Sequence, residues 1–408
     1  MPGSVGVWLG DTRVGTLTNI PGDYNLFSFA ADFLDDPARP VLSQSLLSES
    51  GELIRVVPRT HTIAPPFFAN LLPEEPTLLR SIVARQRRIN KARDFPFLRA
   101  LGADLPGAVI VRDLDALDEA EADAIGGDTP DGIPPVRFSL AGVQLKFSAS
   151  MFDDRFHVTQ NDGDEHWIVK MPTNAYPRLP ENEFAMMSLA RSIGLNVPRI
   201  ELRDLDSVVG LPAKLPGLRG GEPRLVYAIE RFDRRPGGQR VHVEDLNQVA
   251  GQKPEDKYEH KATHFIGNVV GALCEPSDVD EFIRRVVFGI CIGNDDMHLK
   301  NWAIAYPDRR NAALAPMYDF VCSRVYFPEG ELALTVGGTR DSARVDLDTI
   351  RAFARRAEIS AKRATVLAGE VVERIRSAWP HVRATIGDEE LVAALERHFA
   401  VVPLMRGR

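Results

Sequence analysis

Nine consecutive residues, Gly293-Asn294-Asp295-Asp296-Met297-His298-Leu299-Lys300-Asn301, hold most of the reactive chemistry legible in this sequence. Asp296 and Asn301 stand in D-x-x-x-x-N spacing, and a third polar group follows in Tyr318-Asp319-Phe320. One carboxylate can take the proton of a hydroxyl nucleophile. A second carboxylate and an amide oxygen can hold a magnesium ion against phosphate oxygens. That division of labour is phosphoryl transfer. Asp and Asn also enrich turns for purely local reasons, so Asp296 alone would carry no weight. The reading needs partners elsewhere in the chain.

The surrounding elements supply them. An apolar helical run, Asp278 to Ile290, precedes the segment with Phe282, Val286, Val287 and Ile290 on one face. The strand-like Trp302 to Tyr306 follows, then a turn at Pro307 to Asn311 and a second expected strand ending at Met317-Tyr318-Asp319-Phe320. Upstream, Trp167-Ile168-Val169-Lys170 resembles the V-A-I-K strand of protein kinases, whose lysine reaches ATP phosphates. Glu183, opening a helix expected from Glu183 to Ile193 with Gly194 as its C-cap, is the natural ion-pair partner of Lys170. Ala228 to Arg234 ends a strand where a hinge would offer backbone groups to adenine. Phe138 to Lys146, with the single glycine Gly142, stands where a phosphate-covering loop would be.

Other chemistries lack their residues. There is no Walker A sequence, G-x-G-x-x-G loop or G-x-S-x-G elbow, and His260 and His264 have i, i+4 spacing without the glutamate of H-E-x-x-H. The three cysteines, Cys274, Cys291 and Cys322, form no C-x-x-C pair and read as buried free thiols. With 49 basic and 57 acidic residues the net charge is −8, so bulk attraction to nucleic acid is absent. A local run, Arg80, Arg85, Arg87, Arg88, Lys91 and Arg93, is expected to be a solvated helix face that could touch phosphates. The start of the sequence lacks a basic stretch followed by an apolar one, and no run spans a membrane; a soluble cytoplasmic protein is expected.

The 408 residues, 44% hydrophobic and 26% charged, suffice for several packed units. Residues 1–112 read as a small α+β subdomain that opens with a hairpin around Gly10-Asp11 and closes with a strand at Val109 to Val111. Residues 113–135 form an acidic linker. Residues 136–234 read as a β-rich lobe and 235–408 as a helical lobe, with a cleft between them.

The ordered motifs S-L-A-G-V-Q-L-K, W-I-V-K-M-P, N-E-F, E-R-F-D-R, N-D-D-M-H-L-K-N and Y-D-F resemble those of the HipA family of serine/threonine kinase toxins. The opening V-W-L-G-D-T-R-V-G-T-L and the later F-F-A-N-L-L-P-E-E-P extend the likeness along the whole chain. The resemblance implies an α+β, two-lobed protein-kinase-like fold, with the N-terminal subdomain packed on the β-rich lobe. It implies Asp296 as the catalytic aspartate and Asn301 and Asp319 as magnesium ligands. ATP contacts are implied for Ala141, Gly142, Val143, Gln144, Leu145, Lys146, Lys170, Glu230, Arg231, Phe232, His298, Leu299, Lys300, Asn301, Tyr318 and Asp319. Ser139 is expected to be autophosphorylated. Leu145 departs from the family, which commonly has a polar residue or proline there. Further implications are a helix-turn-helix antitoxin of HipB type, operator DNA bound through that complex, and a protein substrate such as an aminoacyl-tRNA synthetase. Two alternatives stay open: a small-molecule kinase of the aminoglycoside or choline type, and a catalytically silent co-repressor.

Overall fold

The computed structural model describes residues 3–114, 144–158, 166–211, 224–259 and 261–406. Residues 115–135 of the expected linker, Ser139, Ala141 to Val143 and His260 lie outside them, while Asp113, expected to open the linker, is the last residue of a strand.

Near-strict alternation of apolar residues makes the first sheet. β1 (Gly3–Leu9), β2 (Thr12–Ile20), β3 (Tyr24–Phe29), β4 (Thr60–His61) and β5 (Val109–Asp113) pair antiparallel in the order β4-β3-β2-β1-β5. The β1–β2 turn needs Gly10, whose φ is +57°. Val5, Val7, Leu17 and Phe27 bury one face of the sheet in the same core as Phe67, Phe97 and Leu98.

The basic run is not one solvated face. In helix Leu78–Arg87, Arg80 is buried, donates 2.7 Å to Asp94 Oδ1, and lies 4.3 Å from the Phe97 ring centroid. Lys91 pairs with Glu75 and Arg93 with Asp23. Arg85, Arg87 and Arg88 are the exposed remainder of the run.

The second sheet holds β6 (Lys146–Phe152), β7 (Arg155–His157), β8 (Trp167–Lys170), β9 (Ile200–Asp204), β10 (Val208–Val209) and β11 (Leu225–Glu230), ordered β10-β7-β6-β8-β11-β9. Successive strand residues face opposite ways. Trp167, Val169, Val226 and Ala228 therefore pack toward the N-terminal sheet, while Tyr227 and Ile229 join the core of the helical lobe. Lys170 is on the face of Ile168, toward the cleft. The following helix spans Leu179–Ser192 and starts earlier than expected, with Pro180 in its first turn; Gly194, at φ +85°, takes the left-handed position after its end.

After a small ribbon, β12 (Arg234–Arg235) and β13 (Gln239–Arg240), a third sheet joins β14 (His242–Asp245), β15 (Ala303–Tyr306) and β16 (Ala313–Leu314). The expected strand reaching Asp319 is thus only two residues long. Helices Thr263–Leu273, Pro276–Ile292, Leu347–Arg356, Ala361–Arg383 and Glu389–Val401 build the helical lobe around the fully buried Val286, Val287 and Ile290. Cys291 and Cys322 are buried free thiols, and Cys274 is free but only half-buried. Among the described residues no helix is long and apolar enough to cross a membrane.

The N-terminal subdomain packs on the β-rich lobe through a shared apolar core. It also sits on the helical lobe through polar contacts. The buried Glu244 accepts hydrogen bonds from Ser43 Oγ at 2.7 Å and Gln44 N at 3.0 Å, and Gln248 Nε2 donates to Phe67 O at 2.9 Å.

Candidate active site

The two lobes and the N-terminal subdomain enclose a cleft of about 670 Å³. From the β-rich lobe, β8 places Lys170 so that its Nζ donates to Glu183 Oε1 at 2.6 Å and also pairs with Asp319. Burial alone would depress the lysine's pKa, but the carboxylates of Asp319 and Glu183 outweigh it and hold Lys170 charged. Burial would likewise raise the Asp319 carboxyl, yet Lys170 and Lys146 hold it well below the usual range.

Local structure explains where Asp319 sits. Its φ is +58°, a left-handed conformation that an aspartate tolerates better than most residues. Phe320 next to it is buried, with ring centroids 6.2 Å from Phe288 and 6.1 Å from Trp302. Tyr318 donates its hydroxyl to Lys300 O at 2.9 Å. Anchored on both sides, the chain turns the Asp319 carboxylate toward the lysine.

From the helical lobe, helix Pro276–Ile292 stops at Gly293, whose φ of +69° caps it and sends Asn294 to Asn301 along the cleft floor. Asn294 Oδ1 accepts from Asp296 N at 3.1 Å, and Asn301 Nδ2 donates to Asp296 O at 2.7 Å. Asp295 is tied to Arg324 at 3.1 Å. The Asp296 side chain is 52% exposed and opens into the cleft. The enclosing walls push its carboxyl up to about 6, against a hydrogen bond from Tyr258.

Several expected contacts have other tasks. Leu145 and Leu299 are buried in the hydrophobic cores, so their side chains do not line the cleft. Lys300 Nζ is committed to Asn70 and Asp245. The Arg231 guanidinium is fully buried against Asp233 and Asp104, and Gln144 donates to Met171 O at 2.7 Å. His298 is buried in the cleft wall. The side chain of Glu230 is exposed.

The cleft residues that escaped sequence reasoning include Asn70 and Glu74 from the N-terminal subdomain, and Lys257 and Tyr258 before the long helices. The signal for Asn70 was a lone amide inside the apolar run Phe67 to Leu72. Nothing local distinguished Tyr258.

The donor set suits a magnesium nucleotide. The Lys146 side chain is buried and makes no hydrogen bond or ion pair among the described residues; it faces the cleft beside Lys170 and Asp319, and the attraction of Asp319 and Glu183 offsets the cost of its burial only in part. Asn301 spends its amide nitrogen on Asp296, and its Oδ1 makes no hydrogen bond among the described residues. With the Asp319 carboxylate it offers the two oxygens a magnesium ion takes from protein, the remainder coming from phosphates and water. Ile168, Ile229, Val243 and Ala303 give the cleft apolar walls. There the main-chain N–H and C=O of Phe232 make no backbone hydrogen bond among the described residues.

Two lobes, a strand lysine paired to a helix glutamate, and an Asp–Asn loop opposite a second aspartate define a protein-kinase-like fold. The chain belongs to the HipA family: residues 5–112 match the HipA N-terminal domain and residues 138–379 the HipA-like C-terminal domain. It is 42% identical over 401 residues to the Sinorhizobium fredii protein Y4dM, covering 96% of this chain and 95% of that one. It is 25% identical over 324 residues to the serine/threonine-protein kinase toxin HipA of Shewanella oneidensis, covering 70% of each. In three dimensions it matches HipA from the Shewanella oneidensis complex of HipA, HipB and operator DNA. The TM-score is 0.72 at 21% identity, over 98% of this chain and 96% of that one.

Proposed function

We propose that this protein is an ATP- and magnesium-dependent serine/threonine protein kinase and the toxin of a type II toxin–antitoxin module. The observation that carries the reading is Lys170 bridging Glu183 and Asp319 across the cleft from Asp296 and Asn301. Lys170 and Lys146 would receive the ATP phosphates, and the Phe232 main chain the adenine. Asp319 and Asn301 would hold magnesium, which neutralises phosphate charge when bound. Asp296 would accept the proton of the acceptor hydroxyl as its oxygen bonds to the γ-phosphorus and ADP leaves.

In this reading residues 1–112 are the N-terminal subdomain, 136–234 the nucleotide lobe and 235–408 the catalytic lobe. The protein acts in the cytoplasm on a translation component such as an aminoacyl-tRNA synthetase. It is neutralised by a helix-turn-helix antitoxin, with which it represses its own operon, and Ser139 is its autophosphorylation site. The family membership and the full-length likeness to a HipA found with HipB and operator DNA support this assignment.

Incubation of the purified protein with labelled ATP and magnesium, without any small acceptor, tests it. Label on serine or threonine of protein is expected. Label that appears only when an aminoglycoside or choline is added would overturn the protein-kinase reading.

A further inference from the structure

A general base must present one carboxylate oxygen to the acceptor in a fixed orientation, since small misplacements are costly in rate. The catalytic loop does not fix the Asp296 carboxylate by itself. The hydrogen bonds that Asn294 and Asn301 make to Asp296 reach its main chain, not its carboxylate. Among the described residues, the hydrogen bond that holds the carboxylate comes from Tyr258, whose hydroxyl donates to Oδ1 at 2.9 Å. Among the described residues Oδ2 accepts no hydrogen bond, with His298 Nε2 at 3.9 Å.

The tyrosine is itself held in place. Its ring meets His298 edge-on at 4.9 Å between centroids, and Lys257 Nζ lies 5.4 Å from its centroid. Lys257 is tied to Glu74 of the N-terminal subdomain at 2.8 Å. The short turn Pro254–Tyr258 is pinned by Gln252 Nε2, which donates to Asp256 O at 2.9 Å. Burial and the neighbouring Asp296 charge keep the phenol protonated, and therefore a donor.

We propose that Tyr258 is a positioning residue for phosphoryl transfer: its hydroxyl fixes Oδ1 of Asp296 so that Oδ2 takes the acceptor proton. The inference rests on Asp296 being the base. Because Oδ2 accepts no hydrogen bond among the described residues, the acceptor need not displace the tyrosine. The contact also brings the N-terminal subdomain into the catalytic apparatus, through the chain Glu74, Lys257, Tyr258 and Asp296.

Tyr258→Phe removes the hydroxyl and keeps the ring against His298. With the full-length protein, magnesium ATP and a protein acceptor, kcat is expected to fall about ten- to a hundredfold. The Kd for magnesium ATP and the thermal midpoint should stay at wild-type values. An unchanged kcat overturns the proposal. So does a raised kcat, which would mean that the tyrosine blocks the acceptor, or a fall matched by lost nucleotide affinity or a lower midpoint, which would make the role structural. Asp296→Asn is measured in parallel. If it remains active, the base assignment itself fails; if it is dead while Tyr258→Phe equals wild type, only the positioning role fails.

Discussion

Lys300 of the Asn294–Asn301 loop and Asn70 of the N-terminal subdomain, 230 residues apart, are joined by two buried hydrogen bonds from the lysine Nζ, to Asn70 O at 3.1 Å and Asn70 Oδ1 at 2.9 Å. The loop that carries Asp296 is therefore braced by a separate sheet domain. Asn70 also donates to Gln252 O at 2.8 Å and accepts from Asn247 Nδ2 at 3.0 Å. Asn70→Ala leaves several buried polar groups unpaired, at about 1–3 kcal/mol for each. A loss of roughly 3 kcal/mol in chemical denaturation is expected; a loss under about 0.5 kcal/mol would show that the brace contributes nothing.

A second buried junction clamps the segment that follows β11. Asp104 of the N-terminal subdomain accepts from Arg231 at 3.1 Å, Arg234 at 2.9 Å and Ser148 Oγ at 2.7 Å. Asp104→Ala would leave buried guanidinium charge undercompensated. Breaking such a pair costs about 3–5 kcal/mol. Urea unfolding should show that loss, and a near-neutral result would contradict the clamp.

Lys146 makes the opposite prediction for stability. A buried cation with no hydrogen bond or ion pair, whose burial outweighs the pull of nearby carboxylates, opposes folding, so Lys146→Met should raise the thermal midpoint of the nucleotide-free protein. The same substitution should weaken magnesium ATP binding by about tenfold or more, the equivalent of at least about 1.4 kcal/mol. Calorimetry reads both quantities. A lowered midpoint with unchanged affinity would remove Lys146 from the phosphate site.

Stability should also depend on pH through Glu244. Burial pushes its carboxyl from 4.5 up to about 7, against hydrogen bonds from Tyr306, Ser43 and Gln44. The folded state thus binds this proton more tightly than the unfolded chain. The stabilisation is complete below about 4.5 and is lost as pH rises through about 7. Asp104 and Asp233 run the other way. Burial would raise them, but Arg231 and Arg234 hold them low, and Asp233 at about 2 contributes stability that disappears as pH falls from 3.8 toward that value. Glu244→Gln should flatten the decline of the thermal midpoint between about pH 5 and about pH 8. An unaltered slope would assign the decline to other groups.

The Asn294–Asn301 loop was legible because its determinants are local: an apolar helix, Gly293 as its stop, and the Asp296–Asn301 spacing. The strand read at Trp167 to Lys170 likewise matches β8, and β11 ends at Glu230, within the segment read as the end of a strand. Contacts between distant segments were not legible. Helical periodicity put Arg80 among the arginines of a solvent face, because its acceptor Asp94 lies on the next helix. The strand expected to reach Asp319 ends at Leu314, and at Asp319 the left-handed backbone cannot be a strand. Leu145 and Leu299 occupy loop positions, yet their apolar side chains go to the cores, as burial of hydrocarbon favours.

The most direct test of the account is single-turnover transfer from labelled magnesium ATP to a protein acceptor by wild type and Asp296→Asn, with nucleotide affinity measured on the same samples. The substitution removes the proton acceptor and leaves Lys146, Lys170, Asn301 and Asp319 in place. Transfer should fall by about a hundredfold or more while the Kd for magnesium ATP stays within about threefold. Transfer at the wild-type rate would contradict the assignment of Asp296 as the base.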